Sequence, residues 1–155
     1  MKKLSHYDEK GRARMVDVSG KPDTRRTATA QAFVRIRPSV LKKLPQNPKG
    51  DPLEVARFAG ISAAKRTSDL IPMCHPLPLT HVDVAAKIES RGVRILAQAA
   101  TTGPTGVEME ALTAAAVAAL TVYDMTKALD KGIEIQDLHL IEKTGGKSGD
   151  YRREK

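Results

Sequence analysis

Val82–Asp83–Val84–Ala85–Ala86–Lys87–Ile88–Glu89–Ser90–Arg91–Gly92–Val93–Arg94–Ile95–Leu96–Ala97–Gln98–Ala99 is the stretch that decides the architecture. Val82, Val84, Ala86 and Ile88 fall at every second position, and after Ser90–Arg91–Gly92 so do Val93, Ile95, Ala97 and Ala99. A period of two marks half-buried strands, and a short glycine-containing break between two such runs makes them an antiparallel hairpin. Upstream, Ala30, Ala32, Val34 and Ile36 alternate with Thr29, Gln31, Arg35 and Arg37, which predicts a strand over 28–37. Between strand and hairpin, Asp51 is an N-cap residue, Pro52 suits the first helical position and Glu54 completes a capping box, so a helix is expected from 52 to about 67. Downstream, the Ala-rich stretch from about Val107 to Asp130 reads as a long helix closed by Gly132. Ile133, Ile135, Leu138 and Leu140 form the last strand, with a slip in parity that predicts a bulge near Asp137. The order is β-α-β-β-α-β in one domain spanning 1–155. This is an α+β, ferredoxin-like arrangement with a four-stranded antiparallel sheet and helices on one face.

The chain has 155 residues, with 26 Lys plus Arg against 18 Asp plus Glu, a net charge of +8. Residues 1–26 carry eight basic and four acidic side chains and residues 143–155 carry five and two, so the ends hold +4 and +3 and the centre only +1. Terminal segments of this kind either trail as basic tails or fold back onto an anion. Only five aromatic residues and no Trp are present, so the core must be built from Ala, Val, Leu and Ile. One cysteine, Cys74, excludes an intramolecular disulfide framework and points to a reducing cytoplasm. The longest apolar run, Ala114–Leu120, is far shorter than the roughly 20 residues of a membrane span, and the charged start lacks a signal-peptide core.

Pro72, Pro76 and Pro78 hold Cys74–His75 in a stiff extended segment, which suits a histidine used in acid–base work or substrate binding as much as a structural one. Cys74 and His75 are adjacent and have no CxxC or HxxxH companion, so no metal site is indicated, and nothing in the sequence activates Cys74 as a nucleophile. Glu108, Met109 and Glu110 open the long helix, where acidic residues also suit the helix dipole. Asp124 and Lys127 share a helical face three residues apart, as a proton-transfer pair or an ordinary surface pair. Lys143–Thr144–Gly145–Gly146–Lys147–Ser148–Gly149–Asp150 lacks the phosphate-loop spacing, because Ile141 stands where the first glycine belongs. It is a flexible basic tail or an anion clamp of another kind. Many cations, several carboxylates, a caged histidine and no nucleophile or metal cluster suit a polyanionic substrate undergoing acid–base chemistry or elimination.

Ordered motifs along the chain resemble the cyclic pyranopterin monophosphate synthase family: Met15–Val16–Asp17–Val18–Ser19, Ala63–Ala64–Lys65–Arg66–Thr67, Asp69 through Leu77, Thr105 through Thr113, Leu120 through Met125 and Gly145 through Asp150. The resemblance implies a lyase of molybdenum cofactor biosynthesis. It would convert a cyclised dihydro-GTP, supplied by a radical S-adenosylmethionine GTP cyclase, to cyclic pyranopterin monophosphate with loss of pyrophosphate. By the same resemblance, Asp124, Lys49, Lys127 and His75 are catalytic. Met73, Cys74 and His75 line the substrate pocket, Met109 and Glu110 bind the base or its pterin product with Glu108 nearby, and Lys65, Lys21, Arg26, Lys143 and Lys147 face the triphosphate. No cofactor is required, Mg²⁺ is not indicated by the sequence, and the expected assembly is a homohexamer, a trimer of dimers, with sites at subunit contacts. Neither a nucleic acid nor a membrane is an expected partner.

Two non-enzymatic readings compete. One is a basic RNA-binding module, which shares the strand order but would carry aromatics for base stacking on its central strands, where 92–100 has none. The other is a small-molecule regulatory module, which would bind without turnover.

Overall fold

The computed structural model describes residues 5–154. Lys2, Lys3 and Lys155, which add to the terminal charge, lie outside the described residues. Strand β1 (Thr24–Arg35) is followed by the short helix α1 (Pro38–Leu41), a 3-10 turn at Leu44–Gln46, and helix α2 (Pro52–Ala64). Then come the single-turn helix α3 (Thr67–Leu70), the hairpin strands β2 (Leu79–Glu89) and β3 (Gly92–Gly103), helix α4 (Glu108–Thr126), and strands β4 (Glu134–Thr144) and β5 (Tyr151–Arg152). All pairings are antiparallel, in the order β2-β3-β1-β4-β5.

The expected hairpin forms, in a register that sets Val84 opposite Ala97 and Ile88 opposite Val93. Its core-facing side chains, together with Ala30, Ala32 and Val34 of β1 and Ile36 just beyond it, are packed against α2 and α4 on one face of the sheet. Asp51 caps α2 as the sequence predicts, its carboxylate accepting from the Leu53 N–H at 2.9 Å. The capping box itself is not closed, because the Glu54 carboxylate pairs with Arg57 at 3.4 Å instead of reaching back to the Asp51 N–H. The predicted bulge is present in β4: β1 advances from Gln31 to Phe33 while β4 advances from His139 to Gln136, and Asp137 adopts φ 52°.

Two further expectations need correction. The sheet has five strands rather than four, because β5 pairs with the end of β4, Glu142 opposite Arg152 and Lys143 opposite Tyr151. Three glycines with positive φ, Gly145, Gly146 and Gly149, turn the chain back to make this pairing. The charged sequence of two-residue β5 carries no periodicity from which it was legible. The first helix also ends at Ala64, with Thr67–Leu70 forming its own turn after an Arg66 in non-helical conformation.

Helices α2 and α4 cross through small residues, as the Ala-rich composition requires. At Gly60 an added Cβ would lie 2.9 Å from the Ala114 carbonyl oxygen and 3.0 Å from Val84 Cγ2. Gly60→Ala therefore loses more by overpacking than it gains in helix propensity. We expect a destabilisation of about 1–3 kcal/mol, read from the denaturant midpoint. No described helix is long and apolar enough to cross a membrane.

Candidate active site

The ends of α4 carry two separate groups of functional side chains. At its amino-terminal end, a cavity of about 340 Å³ is lined by Met73, Cys74 and His75 from the proline segment, Glu108, Met109 and Glu110 from α4, and Val16, Val18 and Lys21 from the amino-terminal segment. A second cavity of about 750 Å³ shares Lys21, Thr105, Gly106 and Glu108 with it and adds Thr24, Arg26, Lys143, Gly146, Lys147 and Ser148. Both volumes lie in the usual range of small-molecule sites, roughly 300–1,000 Å³.

Rigid local structure builds the first cavity. The Cys74 N–H donates to the Ile71 carbonyl at 3.0 Å, closing a turn at Pro72–Met73, and the Thr101 hydroxyl donates to the Pro78 carbonyl at 2.8 Å. His75 Nε2 lies 2.7 Å from the Val16 carbonyl oxygen. A carbonyl only accepts, so this nitrogen carries the proton and Nδ1 is the nitrogen that remains. The contact also ties the amino-terminal segment across the cavity. Burial, and then the charge of Glu110, pushes the Cys74 thiol up, which keeps it protonated and unsuited to nucleophilic attack. Glu110, only 4% exposed, is raised to about 7, first by desolvation and also by the neighbouring Glu108 charge.

That shift has a signed consequence. The folded protein holds the Glu110 proton more tightly than the unfolded chain, so stability falls as pH rises from about 4.5 to about 7 and levels off above. Glu110→Gln should flatten this slope, removing on the order of 3 kcal/mol of pH dependence, as checked by urea unfolding across that window.

In the second cavity two of the cations, Lys143 and Arg26, are held by internal partners. Lys143 Nζ pairs with Glu108 at 3.3 Å and donates to Ser148 Oγ at 2.7 Å. Arg26 donates to the Gly103 carbonyl at 3.0 Å and the Pro104 carbonyl at 3.1 Å. Its Nη1 lies where a Cβ on Gly146 would come within 2.2 Å. Arg26 thus locks the 103–106 turn to the glycine loop as well as lining the cavity. The basic ends flank one concave surface, with Lys21 and Arg26 from one end and Lys143 and Lys147 from the other. Lys65 is exposed at the end of α2, outside the residues that line the two cavities.

At the other end of α4, Lys127 Nζ pairs with Asp124 Oδ1 at 2.6 Å. Lys49 Nζ donates to the Asp124 carbonyl at 3.2 Å and lies 3.9 Å from its carboxylate. Asn47 holds this loop in place, donating to the Met125 carbonyl at 2.8 Å and accepting from the Lys49 N–H at 2.9 Å. The Lys127 hydrogen bond and charge, then Lys49, hold the Asp124 carboxyl below its ordinary range, and Asp124 in turn raises Lys127. The pair therefore rests as carboxylate and ammonium. The apolar sequence around Asp124 sets its carboxylate close to a buried face, but the side chain is 59% exposed.

Glu108 and Asp124 stand 16 residues apart on one helix, about 24 Å at about 1.5 Å per residue. The chain brings the ring-binding candidates together with Lys21, Arg26, Lys143 and Lys147, leaves Lys65 outside both cavities, and holds Asp124, Lys127 and Lys49 at the far end of α4. Residues that line the cavities without having been singled out in the sequence include His6, Val16, Val18, Thr24, Thr105 and Ser148. For Val16, Val18, Thr105 and Ser148 the sequence carries a signal, since each lies inside one of the family motifs.

The MoaC family profile matches residues 15–146. This chain belongs to the MoaC family. The match takes in the amino-terminal segment over the cavity, the proline segment, α4 and the start of the glycine loop. Among MoaC-related proteins, the cyclic pyranopterin monophosphate synthase of Parvibaculum lavamentivorans is 57% identical over 155 residues, covering 97% of each chain. The protein of that name from Heliobacterium modesticaldum is 58% identical over 158 residues and 99% of each chain. The one from Peptoclostridium acidaminophilum is 55% identical over 153 residues, 97% of this chain and 98% of that one.

Proposed function

We infer that this chain is a lyase that forms cyclic pyranopterin monophosphate in molybdenum cofactor biosynthesis. Identity of 55–58% over nearly the whole length to enzymes of that name carries the reading. Its substrate is the cyclised dihydro-GTP made by a radical S-adenosylmethionine enzyme, and pyrophosphate leaves. Lys21, Lys143 and Lys147 neutralise the phosphates, and Arg26 fixes the turn beneath them. His75, Glu110 and the surrounding Met73, Cys74 and Met109 receive the ring system. Lys127, charged beside Asp124, donates a proton and Lys49 exchanges one. No cofactor enters this proposal, and turnover in EDTA is the measurement that bears on Mg²⁺.

The separation along α4 supports a composite site, in which Asp124, Lys127 and Lys49 of one copy complete the cavities of another. Exposed Val55, Phe58 and Leu120, at 41%, 64% and 56%, give the helical layer apolar surface for such a contact. A trimer of dimers is the assembly proposed. The four longer strands, ordered 2-3-1-4, are read as a ferredoxin-like unit extended by β5.

Purified protein supplied with the cyclised dihydro-GTP should release pyrophosphate and yield a pterin that fluoresces after oxidation. Absence of product above an Asp124→Asn control would sink the proposal.

A further inference from the structure

Among the described residues, Thr24 Oγ1 is the sole buried side-chain oxygen or nitrogen with no hydrogen-bond partner. Buried hydroxyls are nearly always paired, and an exception points to something the protein meets in another state. Thr24 lines the 750 Å³ cavity together with Lys21, Arg26, Lys143 and Lys147, so the residue that carries the orphaned hydroxyl borders the most cationic concave surface described, with the hydroxyl itself turned in behind that surface.

Its placement follows from the strand. Thr24 opens β1 opposite Gly103, the residue before the Pro104–Thr105–Gly106 turn. Thr24 and Arg26 are two apart and share one face of the strand, and Arg26 extends from that face to the Gly103 and Pro104 carbonyls. Arg26 takes those two carbonyls, and the Thr24 hydroxyl meets no hydrogen-bond partner in this arrangement. Rotation about the single Cα–Cβ bond moves the hydroxyl without breaking a hydrogen bond, because it makes none.

We propose that Thr24 is a further substrate-binding residue, whose hydroxyl donates to a phosphate oxygen between Lys21 and Arg26. The inference rests on the reading of this cavity as the phosphate end of the site. Lysine ammonium groups supply charge without fixed direction, whereas a hydroxyl on a strand supplies a directed donor. It sets the position of one phosphate rather than only the total attraction.

Calorimetric titration of the full-length assembled protein with inorganic pyrophosphate tests this. Thr24→Val keeps the shape and removes the hydroxyl. It should weaken binding about ten- to a hundredfold, as loss of a hydrogen bond to a charged group does, and raise KM more than it lowers kcat. Thr24→Ala should show the same loss, and Thr24→Ser should bind within about threefold of wild type because it keeps the donor. The thermal midpoint of Thr24→Val should not fall, since no bond is lost. Wild-type affinity in both Thr24→Val and Thr24→Ala overturns the assignment. If Lys143→Ala loses affinity while Thr24→Val does not, Thr24 alone is excluded; if the wild-type protein binds no pyrophosphate, the phosphate reading of the cavity fails and this inference with it.

Discussion

Lys127→Ala lowers turnover of the cyclised dihydro-GTP at least about a hundredfold, the usual effect of removing a general acid, with Lys49→Ala falling by a similar factor. Such a loss corresponds to about 2.7 kcal/mol of transition-state stabilisation. In the resting chain Lys127 is half-exposed, pairs with Asp124 at 2.6 Å and is held in its charged form. An exposed pair of this kind contributes little to folding, commonly under about 1 kcal/mol. The thermal midpoint should therefore barely move, and the kinetic loss is then chemical rather than structural. Lys127→Arg keeps the positive charge but surrenders its proton far less readily, so it should restore little of the rate. Wild-type turnover in Lys127→Ala would remove this lysine from the mechanism.

A mixture of two inactive variants should recover activity. Lys127→Ala disables the group at the carboxy-terminal end of α4, and His75→Ala disables the cavity at its amino-terminal end. If a site combines one end from each of two copies, random reassembly from equal amounts leaves about a quarter of the sites with both ends intact. Activity close to a quarter of wild type is expected after dissociation and reassociation, far above either variant alone. A mixture no more active than its components would mean that each chain completes its own site, which the distance of about 24 Å along α4 speaks against.

Periodicity made most of this architecture legible. The alternation of Val82–Ala99 defined the hairpin, the parity slip around Asp137 located a bulge, and Asp51–Pro52 marked the start of α2. The fifth strand escaped because two residues, Tyr151 and Arg152, are too few to show a period, and their pairing depends on a glycine turn rather than on hydrophobicity. At the site, the proline cage around His75 was readable because proline restricts its neighbours wherever it stands. The partition of candidates between the ends of α4 could have been counted from the sequence, since rise per residue is fixed. The closing of His75 onto the Val16 carbonyl could not, because 59 residues separate the two and no local pattern encodes that contact.

α4 is also an angular coupling between its two ends. Each residue adds about 100° of rotation as well as about 1.5 Å of rise, so deleting a single residue between Ala111 and Thr121 would turn Asp124 and Lys127 well away from their present bearing relative to Glu108 and Glu110. No shift of side-chain rotamers restores such an angle. The length of this helix is thus under tighter constraint than the identity of its outward-facing residues. Natural variation in chain length should gather in the hairpin turn at 90–91, leaving α4 free of insertions and deletions.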